Sequence, residues 1–163
     1  MTATIRLTVN GAIAEIVVDG GETLAEALRR ELRLFSVREA CGLGVCGTCT
    51  VLVDGRPMSS CLILAGLADG LAITTVEGAT GELDAVQEAF IDHTAFQCSF
   101  CTPGFILATR ALLAEEPHPS PDRVREALAG NLCRCGSYMK IIDAVLDAAD
   151  RLDPAGQGRP AAG

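Results

Sequence analysis

Eight cysteines in two groups of four constrain this 163-residue chain more than any other feature of its sequence. Cys41, Cys46 and Cys49 are separated by four and two residues, and Cys61 follows beyond an Asp54-Gly55 dipeptide. Further on stand Cys98-Ser-Phe-Cys101 and Cys133-Arg-Cys135. Residues 1–9 alternate polar and apolar side chains, with neither a basic segment nor a long apolar run. No secretory signal or membrane insertion is expected there, and the chain reads as cytoplasmic. Thiols in that compartment are kept reduced and structural disulfides are rare, so metal binding becomes the leading reading. A scattered cysteine usually serves as a small buried hydrophobe; these are grouped.

A hydrophobic fraction of 49% can build a core, and the length suits one ordinary domain or two small ones. Thirteen Lys and Arg face 21 Asp and Glu, a formal charge of −8, and Trp is absent. That excludes the basic footprint and stacking platforms that nucleic acid requires.

Ile5, Leu7 and Val9 alternate, Ile13, Ile16 and Val17 form a second apolar run, and Asn10-Gly11 lies between them, which predicts a hairpin. Residues 22–34 place Leu24, Ala27, Leu28 and Leu32 at helical spacing, acidic side chains early and Arg29, Arg30 and Arg33 late, as the helix dipole favours. A glycine-rich loop, a strand over 50–53, the Asp54-Gly55 turn and a strand-like run over 71–76 complete an α+β unit. After the turn-rich stretch 77–82 the apolar period changes from two to nearly four. Helices are expected at about 84–94, 103–115, 123–129 and 137–152, with Pro103 in a first turn and Ser120-Pro121 as cap and first residue. The predicted organisation is a first domain at 1–76, a linker at 77–83, a four-helix domain at 84–152 and a flexible tail at 153–163.

The first cysteine spacing is that of plant-type [2Fe-2S] proteins. Gly42, Gly44 and Gly47 between the loop cysteines permit positive φ and close approach of backbone N–H groups to a cluster. Structural zinc also uses four thiolates but usually takes them as two separated pairs, so three on one loop with a distant fourth fits two irons better. The second set is less specific. Both of its pairs precede expected helices, whose amino termini favour thiolates and anions. A zinc site and a redox-active Cys-x-x-Cys remain alternatives, although the tight Cys133-Arg134-Cys135 pair suits two neighbouring thiolates on one cluster iron better than one zinc.

Taken together, 97–105 (Gln-Cys-Ser-Phe-Cys-Thr-Pro-Gly-Phe), 131–138 (Asn-Leu-Cys-Arg-Cys-Gly-Ser-Tyr) and 41–49 (Cys-Gly-Leu-Gly-Val-Cys-Gly-Thr-Cys) resemble the iron–sulfur subunit of the xanthine oxidase family of molybdenum hydroxylases. The resemblance runs from about Thr4 to Leu152. It implies a β-grasp ferredoxin domain holding one [2Fe-2S] cluster on Cys41, Cys46, Cys49 and Cys61, then a four-helix domain holding a second on Cys98, Cys101, Cys133 and Cys135. It implies a large partner carrying molybdopterin, as the cytosine dinucleotide, with Gln97 hydrogen-bonded to the pterin and Cys135 linking its cluster to the pterin edge. Electrons would leave one at a time through the Cys98 set and then the Cys41 set, toward a medium FAD-binding subunit or a cytochrome acceptor. Gly136-Ser137-Tyr138 replaces the commoner Thr-Gly-Tyr, as in the isoquinoline and aldehyde oxidoreductase branch, whose members do not all carry a flavin subunit.

Arg134 is either a surface charge or a cation that neutralises a reduced cluster or meets the partner. His93 and His118 lack any cysteine at Rieske spacing and are assigned to surface or capping roles. Phe90, Phe96, Phe100 and Phe105 are expected to pack around the Cys98 pair and exclude water. No Ser-His-Asp set, carboxylate pair or phosphate loop stands out, which suits a relay. A free-standing two-cluster carrier and a zinc-stapled interaction module are the competing functions.

Overall fold

The computed structural model describes residues 2–78 and 83–153. Residues 79–82 of the expected linker and 154–163 of the expected tail lie outside the described residues. Strands β1 (Thr2–Val9) and β2 (Ala12–Asp19) form the expected hairpin. Asn10 and Gly11, at φ 51° and 83°, supply the left-handed pair that a two-residue turn requires. Helix α1 (Leu24–Leu32) starts at a reciprocal cap between Thr23 and Glu26 and ends at Arg33. It buries Leu24, Ala25, Ala27 and Leu28 against Leu7, Ile16 and Val18 of the sheet.

Strands β3 (Thr50–Val53), β4 (Arg56–Ser59) and β5 (Ala72–Thr74) complete one sheet in the order β2-β1-β5-β3-β4. β5 runs parallel to β1 and antiparallel to β3. A short 3₁₀ turn over Val76–Gly78 follows, and Glu77, where the linker was expected to begin, accepts the backbone N–H of Ser36 at 2.6 Å.

Helices α2 (Ala85–Asp92), α3 (Thr102–Glu115), α4 (Pro121–Ala127) and α5 (Tyr138–Leu152) form the second unit. Asp84 caps α2 reciprocally with Gln87, and Ser120 caps α4, which begins at Pro121 because that residue needs no N–H partner in a first turn. α2 lies along α5, where Asp147 binds both His93, at 3.1 Å, and Arg151, at 2.6 Å. Both histidines have such roles: His93 also forms the C-cap of α2, and His118 pairs with Asp153 at 3.1 Å. No described helix is long and apolar enough to cross a membrane.

β3 joins the units. All four of its residues are buried, because Val51 and Val53 face the α1 core while Leu52, on the opposite face, packs on Leu107 and Ala111 of α3. A side chain buried as fully as Leu107 contributes about 1.5–3 kcal/mol. This contact lays the amino terminus of α3 against the loop that carries the first cysteines.

Candidate metal centres

The first set rides on the loop between α1 and β3, with Cys61 in a 3₁₀ turn, Ser60–Leu62, directly after β4. Cys49 and Cys61 are buried and touch, and Cys41 and Cys46, half-buried, touch in the same way. The loop turns its N–H groups toward sulfur. That of Leu43 lies 3.4 Å from Cys41 Sγ and, with the neighbouring Cys46 thiol, holds the Cys41 thiol down at about 6. Burial, together with contact with Cys49, pushes Cys61 up to about 11. Gly44 sits at φ 72°, a left-handed conformation that favours glycine.

The second set forms where α3 and α5 begin. Cys101 and Cys133 are buried in contact with each other, and Cys98 and Cys135 meet at the surface. The Phe100 N–H, then Cys135, holds Cys98 below its usual range, while burial and Cys133 push Cys101 up to about 12. Burial opposes ionisation of Cys133 as well. The Ser137 N–H, 3.5 Å from its sulfur, and the Cys101 thiol outweigh that effect and bring it below the usual range.

The thiol contacts run across the two pairs rather than within the tight one: Cys133 touches Cys101 and Cys135 touches Cys98. Cys133 turns inward because its N–H is held by Tyr138 Oη at 2.9 Å, while a turn bonding Gly136 N–H to the Cys133 carbonyl leaves Cys135 outside. Tyr138 stands edge-on to the buried Phe105, ring centres 6.4 Å apart. Phe90 is also buried, but Phe100 is exposed and its ring faces Arg38 rather than a core.

Each set therefore resolves into a buried thiol pair and an outer thiol pair. Two irons bridged by sulfide need two thiolates apiece, and this arrangement supplies them. One tetrahedral ion needs four sulfurs at a common centre; among the described residues, no group of three or more His, Cys, Asp or Glu has single-ion spacing. The buried hydroxyl of Thr102, next to Cys101, has no hydrogen-bond partner among the protein atoms, which suits a site with further acceptors.

The two loops meet along a hydrogen-bonded seam. Leu132 N–H donates to the Cys46 carbonyl at 2.9 Å, and the buried Asn131 amide donates to the Gly47 carbonyl at 2.9 Å. Arg38 donates to the Ser99 carbonyl from the other side. A cavity of about 430 Å³ between the loops is lined by Cys46, Cys98, Cys101, Cys133 and Arg134. On the outer face Gln97 and Cys135 share a hollow of about 530 Å³ with Phe96, Ser137, Met139 and Lys140. Sequence reasoning did not single out Arg38, Asn131 or Tyr138 as site residues.

Residues 7–74 match the family described as 2Fe-2S iron-sulfur cluster binding domain, and residues 75–146 match a second family described as [2Fe-2S] binding domain. The xanthine dehydrogenase iron-sulfur-binding subunit of Escherichia coli O157:H7 is 48% identical over 151 residues, covering 90% of this chain and 94% of that protein. Quinoline 2-oxidoreductase from Pseudomonas putida 86 superposes with a TM-score of 0.90 at 45% identity, covering 96% of this chain and 98% of the matched chain. Aldehyde oxidoreductase from Desulfovibrio desulfuricans ATCC 27774 superposes at 0.88 with 42% identity, over 93% of this chain but only 17% of that longer one.

Proposed function

Because the chain belongs to the iron–sulfur subunits of the xanthine oxidase family of molybdenum hydroxylases, a non-catalytic, electron-transferring part of an oxidoreductase complex, we propose that its eight cysteines hold two [2Fe-2S] clusters serving a molybdenum site on a large partner. Residues 1–76 hold the first on Cys41, Cys46, Cys49 and Cys61. Residues 84–152 hold the second on Cys98, Cys101, Cys133 and Cys135. The division of each set into a buried and an outer thiol pair carries this reading.

When bound, such clusters supply one-electron storage between a two-electron oxidation and its acceptor. The protein's own residues do the rest. Cys49, Cys61, Cys101 and Cys133 keep one side of each site dry, and the N–H groups of Leu43 and Ser137 favour thiolate at Cys41 and Cys133. The Cys46 carbonyl and Leu132 N–H form one of the hydrogen bonds that join the two ligand loops.

Gln97 and Cys135 share the outer hollow, where a primary amide can both donate to and accept from the polar edge of a pterin. The partner we propose there is the large subunit with molybdopterin cytosine dinucleotide. An FAD-binding subunit or a cytochrome would accept the electrons, in the cytoplasm. That the Desulfovibrio desulfuricans enzyme contains the equivalent of this chain as one part of a longer polypeptide supports a large partner.

Anaerobic purification of the complex tests this reading. About four irons and as much acid-labile sulfide per chain are expected, since two binuclear centres need them, with molybdenum in the same fraction. Zinc without sulfide would refute it, and a loaded chain without molybdenum would favour a free-standing carrier. Gln97→Ala should keep both clusters and lower turnover or assembly about tenfold or more, the loss expected when a buried polar partner is left unpaired. Unchanged assembly and turnover would remove Gln97 from the pterin contact.

A further inference from the structure

On the two-cluster reading above, we propose that Arg38 is a positioning residue for the second cluster: it clamps the Cys98–Cys101 loop from the first unit and raises that cluster's reduction potential. Arg38 lies three residues before Cys41, yet its contacts are with the other set. Its guanidinium donates to the Ser99 carbonyl and lies 5.4 Å from the centre of the Phe100 ring. Ser99 and Phe100 are the two residues between Cys98 and Cys101.

The grip has a firm base. Val37 is buried and its carbonyl accepts from Arg29 at 2.8 Å, while the N–H of Ser36 is bonded to Glu77. The object gripped is a strained turn. Ser99 has φ 61°, a left-handed conformation that a serine keeps only when its surroundings impose it. In that turn the Phe100 N–H is directed at the Cys98 sulfur. Holding the Ser99 carbonyl and the Phe100 ring at once fixes the peptide that carries this donor.

Adhesion alone does not call for arginine at this position. The bonds from Asn131 and Leu132 already join the loops, and they are bonds between neutral groups. Arg38 adds a full positive charge beside a site that becomes more negative on reduction, and a nearby cation in a partly buried seam favours the reduced form. Its planar fork donates and stacks together, which the compact ammonium of lysine cannot reproduce.

Potentiometric titration of the purified complex, followed by the electron paramagnetic resonance of its clusters, tests this with Arg38→Gln and Arg38→Lys. Arg38→Gln should move the second cluster's midpoint to lower potential, and further than the first's. Arg38→Lys should leave the first midpoint in place and shift the second part of the way, because charge survives and the clamp does not. If Arg38→Gln fails to load its second cluster, Arg38→Lys decides on the same criterion. A second midpoint that stays at its wild-type value in Arg38→Lys, or in a loaded Arg38→Gln, overturns the proposal. Fewer than two cluster signals in the wild-type complex would instead refute the reading on which it rests.

Discussion

Replacing Gly104 with alanine is expected to force the two units apart and to cost the holo-protein about 2–4 kcal/mol, above the usual range for overpacking because a buried hydrogen bond goes with it. Gly104 lies in the first turn of α3, and a Cβ built on it would stand 2.2 Å from the Gly47 carbonyl and 3.1 Å from the Asn131 amide. The obstacle is backbone, which cannot swing aside as a side-chain tip can. Gly47 itself sits at φ 68°, between cluster-loop cysteines, and its carbonyl is the acceptor for Asn131. Any retreat of that carbonyl therefore strains the first loop and breaks the seam together. A thermal melt followed by visible absorbance should show a lower midpoint and altered spectra from both centres. Gly130→Ala is the control, since a Cβ there meets nothing within 4 Å, and its effect should stay within about 0.5 kcal/mol. If Gly104→Ala melts like this control, the close approach of α3 to the first loop is not a constraint.

The case of Gly104 shows where sequence reasoning ends. Asn10-Gly11 and Asp54-Gly55 announce their turns, and Ser120-Pro121 its helix start, because turn and cap chemistry lies within a few residues. The two cysteine sets are legible for the same reason: each half-set is a local spacing. The seam is not local. Asn131 reaches Gly47 across 84 positions and Arg38 reaches Ser99 across 61, and no periodicity links residues so distant. Gly104 reads as a glycine that a helix merely tolerates until the Gly47 carbonyl is placed beside it. The contact of Cys133 with Cys101 was not legible for a related reason. Adjacency along the chain suggested a shared iron, whereas the Tyr138 hydroxyl and the Gly136 turn decide which sulfur faces inward. Phe100 was assigned to the core from its neighbours, but the cation that holds it at the surface comes from the other unit.

Replacing Cys46 with serine should damage the first centre and spare the second. The thiol of Cys46 pairs with Cys41 in the outer half of the first set, whereas its link to the second unit runs through its backbone carbonyl, bonded to Leu132 N–H at 2.9 Å. Serine keeps that carbonyl, so Asn131, Leu132 and Arg38 retain their partners while one thiolate ligand is lost. Iron should fall from about four per chain toward about two, since one binuclear centre is compromised and the other is not. The resonance of the first cluster should vanish or change its line shape, with that of the second retained. Loss of both resonances together would mean that the first loop stays in place only while its metal is bound. The seam would then transmit disorder from one unit to the other, because Gly47 can hold φ 68° under the Asn131 amide only if the loop around it is fixed. The two outcomes separate a seam that is built by the polypeptide from one that is built by the metal.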